Sequence, residues 1–84
     1  MDHIVYICQP FVKNQTIMVY QNGECVETIQ CEIYEVSNQI DALVKKNKIK
    51  RVDIKGSLDF MEKLKEELIS TKFNNKDLEV FLHT

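Results

Sequence analysis

The chain has no tryptophan, a single proline and two glycines in 84 residues. With so little punctuation it contains no linker, internal repeat or low-complexity stretch, and it reads as one domain over residues 1–84. It also lacks any apolar run near the ~20 residues needed to cross a bilayer. The amino-terminal MDHIVYICQ is acidic and too briefly apolar for a signal peptide, so the sequence predicts a cytoplasmic protein without a membrane partner. Cysteine is sparse: Cys8, Cys25 and Cys31 are odd in number, and their spacing fits neither a disulfide framework nor a metal site. A strong excess of either sign of charge is absent too, with 11 Lys and Arg against 13 Asp and Glu. A net charge of −2 gives no electrostatic reason to expect nucleic acid or an anionic membrane as partner. A chain this short buries roughly 60–65% of its unfolded surface, which makes an adequate but thin core.

What is present is clear periodicity. Residues 3–9, HIVYICQ, are apolar on both faces, the mark of a strand in the middle of a sheet, and Pro10 is expected to end it. Lys13-Asn14-Gln15 reads as a turn. Residues 16–21 and 24–31 flank Asn22-Gly23, a strong two-residue hairpin signal. That loop sets Tyr20 opposite Cys25, Val19 opposite Val26 and Met18 opposite Glu27, and it places Cys25 and Cys31 on one strand face about 20 Å apart. Ile33, Val36, Ile40, Leu43 and Val44 recur at helical spacing, giving a helix over about 33–47, with Ser37-Asn38 as a later alternative start.

Residues 51–55 alternate charged and apolar, as a strand with one buried face does. Gly56-Ser57 breaks the pattern, and Ser57 suits a helix N-cap. Phe60, Met61, Leu64 and Leu68 make one helical stripe, with Ile69 and Phe73 beside it, and Asn74-Asn75 is expected to end that helix. Leu78, Val80 and Leu82 alternate with Glu79, Phe81 and His83 in a last strand.

This order, βββαβαβ, implies an α/β (α+β) fold in two layers. Hairpin neighbours run antiparallel, and right-handed crossovers carry the last two strands outward, which yields a mixed five-stranded sheet of order 3-2-1-4-5. Both crossovers move the same way, so both helices belong on one face. That order of elements resembles the ribonuclease H-like superfamily and the related half-domains of actin-like ATPases, over nearly the whole chain. The resemblance implies metal-binding carboxylates for a nuclease, one of them within the first strand. Here that strand offers Ile4, Val5, Tyr6 and Ile7, with Asp2 before it; Asp53, Asp41 and Glu35 leave the set incomplete. For an ATPase it implies a glycine-rich phosphate loop in the first hairpin, where this chain has Gly23 alone.

Other chemistry is equally thin. Lys55-Gly56-Ser57 before a helix could hold an anion on backbone N–H groups, but it lacks the further glycines of a phosphate loop and serves more simply as a cap. His3, Cys8 and His83 lie too far apart along their strands to share a metal. No catalytic constellation is complete, no cofactor is implied, and the expectation is a protein that is not an enzyme.

The uncovered sheet face is the more informative feature. Arg51, Asp53 and Lys55, then Glu79, Phe81 and His83, point away from the helices, and the first strand adds an apolar row, either Ile4-Tyr6-Cys8 or Val5-Ile7. An apolar centre with a charged and aromatic rim is how protein interfaces are composed. The sequence therefore points to a small interaction module that binds a protein partner or itself as a homodimer, with Tyr6, Arg51, Lys55 and Phe81 as contact candidates. The alternatives are a nucleic-acid-associated protein using the Lys45–Lys55 basic cluster, or a degenerate ribonuclease H-like nuclease.

Overall fold

Period-two and period-3.6 segments resolve into separate elements in a computed structural model that describes residues 2–9 and 12–84. The strands are β1 (Asp2–Ile7), β2 (Asn14–Gln21), β3 (Glu24–Glu32), β4 (Arg51–Lys55) and β5 (Glu79–His83). One turn of 3-10 helix (Ile33–Glu35) leads into α1 (Val36–Asn47), and α2 (Leu58–Ile69) links β4 to β5. The sheet has five strands in the order β3-β2-β1-β4-β5, with β1, β4 and β5 parallel and the β1–β2 and β2–β3 pairs antiparallel. The first strand ends at Ile7, two residues short of the expected Gln9, and Pro10 lies outside the described residues.

One face of the sheet carries the core. Ile4 and Tyr6 of β1, Ile17 and Val19 of β2, and Val52 and Ile54 of β4 pack in a single buried cluster with Val36, Ile40 and Leu43 of α1 and Met61, Leu64 and Leu68 of α2. Both helices therefore cover the same face, as right-handed crossovers in one direction require. The side chain of Val80 packs against this cluster from the outer strand.

The hairpin turn sits at Asn22-Gly23, where φ is +53° and +83°, the positive values a type I′ turn demands. Its register departs from a simple two-residue count. Tyr20 lies opposite Cys25, but Val19 lies opposite Glu27 and Met18 opposite Thr28, so Val26 is an extra, bulged residue. A bulge changes which side chains face the core. Cys31, opposite Gln15, is buried, whereas Cys25, opposite Tyr20, is exposed. The two cysteines thus sit on different faces, correcting the expectation of a shared one.

Two boundaries also move. Gln15 belongs to β2 rather than to a turn, and its side chain is fully buried. Its Oε1 accepts from the Tyr6 hydroxyl (2.9 Å) and the Gln9 N–H (3.0 Å), while Nε2 donates to the carbonyls of Gln9 (2.9 Å) and Val12 (2.8 Å). The second helix stops at Ile69, short of Asn74. Ser70 ends it by turning its hydroxyl back onto the Glu67 carbonyl, the local competition that makes serine a poor helix interior residue. Phe73 still reaches the core through the turns that follow, and Asn74 takes a left-handed φ of +58°. At the other end Ser57 holds the N-cap position in extended conformation; its carbonyl accepts from Met61, and its hydroxyl makes no capping bond.

The open face of the sheet as candidate functional site

Alternation sends every second residue of each strand away from the helices, and the register sorts these residues into rows across the sheet. Met18, Val5, Asp53 and Phe81 form the middle row; Tyr20, His3, Arg51 and Glu79 lie on one side, and Thr16, Ile7, Lys55 and His83 on the other. Among the described residues no helix covers this face. Its apolar centre is Val5, Ile7 and Met18, all partly buried by their neighbours. The row of β1 left open by sequence is therefore the one containing Val5 and Ile7.

That assignment corrects one contact candidate. Tyr6 points to the helices and is fully buried, with its ring 6.2 Å from that of Phe60 and its hydroxyl on Gln15. Burial pushes its phenol well above the ordinary value of 10.0, with lesser contributions from Cys8 and Cys31. Burial likewise pushes the Cys8 and Cys31 thiols up, away from the thiolate form a nucleophile needs. Arg51, Lys55 and Phe81 do stand on the open face.

The β4–β5 side holds a connected cluster. Arg51 grips Asp53 with two hydrogen bonds of 3.0 Å, and its guanidinium lies 4.3 Å from the ring centroid of Phe81. His83 Nε2 contacts Oδ1 of the same carboxylate at 2.8 Å, the oxygen that also accepts from Arg51 Nη2. Phe81 remains 39% exposed, a large aromatic held flat beneath a cation. Across the face, the His3 and Tyr20 rings stack at 5.6 Å with 17° between their planes. Sequence reasoning had no route to the His3–Tyr20 stack, because the β1–β2 register depends on a loop whose path the residues do not announce.

Burial acts to raise the Asp53 carboxyl, but hydrogen bonds from Arg51 and His83 outweigh it and hold the group below its ordinary 3.8. A carboxyl depressed on folding contributes stability above its unfolded value and loses it as pH falls through the folded one. The chain should therefore lose this contribution only below about pH 4. Carbon-detected NMR of the Asp53 side chain is expected to give a midpoint under 3.8, and Asp53→Asn should flatten the acid limb of the stability profile by less than ~1 kcal/mol, since both partners are half exposed. A midpoint at or above the ordinary value would mean that the cluster is not formed in solution.

The Lys45–Lys55 run does not form one surface. Lys45 is tied to Asp41 and the Phe73 carbonyl, Arg51 to Asp53, and Lys55 stands on the open sheet face. His3 and His83 lie at opposite ends of the parallel block, opposite Arg51 and Lys55 respectively. Among the described residues no group of three or more His, Cys, Asp or Glu is placed to hold a metal ion, and no helix is long and apolar enough to cross a membrane.

The fold and this face define a class: a two-layer α+β domain with a mixed five-stranded sheet, helices on one side and an aromatic, charged strip on the other. No protein-family model matches the chain, and no curated protein does.

Proposed function

We propose that the chain is a non-enzymatic interaction module that docks a protein surface, a second copy first among them, against its open sheet face. The observation that carries this reading is the composition of that face. Val5, Ile7 and Met18 form an apolar centre, and Phe81 is held exposed at its rim by Arg51. An apolar patch on β1 and β2, beside an aromatic and an arginine whose charge is paired with Asp53, has the composition of a binding patch. The element order supports reading the domain as a ribonuclease H-like scaffold whose first strand carries a carboxylate only at its first residue, Asp2, and none among His3, Ile4, Val5, Tyr6 and Ile7.

The test compares the wild type with a Met18→Lys/Phe81→Glu variant, both positions lying on the strip and outside the core. Light scattering during gel filtration is expected to give a mass that rises above 9.9 kDa with concentration for the wild type and stays there for the variant. A wild type that is monomeric throughout, with the same proteins recovered from lysate by both forms, would overturn the reading.

A further inference from the structure

A chain of net charge −2 nonetheless gathers lysines at one end. A depression of about 360 Å³ opens where α1 ends, β4 begins and the 74–78 segment approaches β5. Lys48, Lys50 and Lys76 line it with one carboxylate, Asp77, over an apolar floor that includes Val44 and Ile49. Lys76 comes from far along the chain, so sequence proximity does not produce the cluster.

Structural roles account for only part of it. Cations suit a helix C-terminus, which explains Lys45 and Lys46 in the last turn of α1. Lys50 and Lys76 lie outside the helix and receive no such benefit. Lys48 caps α1 in the left-handed conformation at φ +53°, where glycine or asparagine is easier to accommodate. Among the described residues none of these three ammonium groups is in an ion pair. Three like charges around one hollow repel one another, and a multiply charged anion relieves that repulsion. No aromatic side chain lines the depression, so nothing there could stack a base; the recognisable chemistry is phosphate oxygen.

We propose that this depression binds a small, multiply charged phosphate anion, with Lys48, Lys50 and Lys76 contacting its oxygens. The site is at the opposite end of β4 from Lys55 and does not depend on the open-face reading. The test titrates inorganic pyrophosphate into the full chain, labelled with nitrogen-15, at low salt. Saturable amide shifts are expected at residues 48–50 and 74–78. The Lys48→Gln/Lys50→Gln/Lys76→Gln variant should bind about tenfold more weakly, the combined effect of three exposed charge contacts. A Lys63→Gln/Lys65→Gln variant on α2 should bind like the wild type. Unsaturable shifts, shifts spread equally over α2, or a triple variant that binds unchanged would overturn the assignment. An oligothymidylate that moves these amides when pyrophosphate does not would also overturn it, in favour of a nucleic-acid strand tracking the surface.

Discussion

Gly56→Ala is expected to destabilise the fold by about 3 kcal/mol, the upper range for forcing one extra carbon into a packed interior. A β-carbon on Gly56 would lie 2.4 Å from the Cβ of Cys8 and 3.3 Å from its Cα and carbonyl oxygen. Neither backbone is free to retreat. The Cys8 N–H donates to the Lys55 carbonyl at 2.6 Å, and the Gly56 N–H donates to the His83 carbonyl at 3.2 Å, so the ends of three parallel strands are fastened together here. For a domain of this size such a loss is a large part of the total stability. Urea unfolding reads it as a lower midpoint at unchanged slope. Two background variants identify the cause. In Cys8→Ala the offending Cβ remains, and Gly56→Ala should cost as much as before. In Cys8→Gly that atom is gone, and the cost should fall by half or more, a coupling that distant sites do not show. Equal costs in all three backgrounds would locate the strain elsewhere.

Gly56 is legible as a break between strand and helix, but not as a point of contact with Cys8, because that contact joins strand ends 48 residues apart that only the β1–β4 pairing brings together. The same division runs through the molecule. Local chemistry announced the Asn22-Gly23 turn, the charged and apolar alternation of Arg51–Lys55, and the two helical stripes. Handedness then ordered the strands, and it placed Arg51, Lys55 and Phe81 on the uncovered face.

What stayed hidden was degenerate at the level of pattern. Both rows of β1 are apolar, so the sequence leaves open which one faces the helices, and Tyr6, a contact candidate on one of them, belongs to the core. A bulge at Val26 carries no residue signature, since neither glycine nor proline marks it, yet it shifts the rest of β3 by one. The early end of α2 turns on Ser70 choosing a carbonyl three residues back over continued helix. The lysine cluster at the end of α1 needed the loop before β5 to deliver Lys76.

Gln15 was the least legible residue, and its replacement carries the other large effect. Gln15→Leu should cost about 3 kcal/mol, mostly through the groups it leaves behind. The amide satisfies four partners at once: the Tyr6 hydroxyl, the N–H and carbonyl of Gln9, and the carbonyl of Val12. Gln9 and Val12 are exposed and can recover water, but the Tyr6 hydroxyl cannot, because the whole residue is inaccessible. This asymmetry predicts a change of sign. In the wild type, Tyr6→Phe should cost about 1 kcal/mol, the net worth of an ordinary hydrogen bond. In the Gln15→Leu background the same substitution removes an orphaned hydroxyl and should be neutral or stabilising. Hydrogen exchange adds a local reading: the Gln9 amide should be protected in the wild type and exchange freely in Gln15→Leu. If Tyr6→Phe costs the same in both backgrounds and the Gln9 amide exchanges unchanged, then Gln15 merely fills space beneath the helices. If the sign reverses, one buried amide fastens the segment after β1 to β2, and the core depends on a polar residue that its sequence neighbourhood presented as a turn.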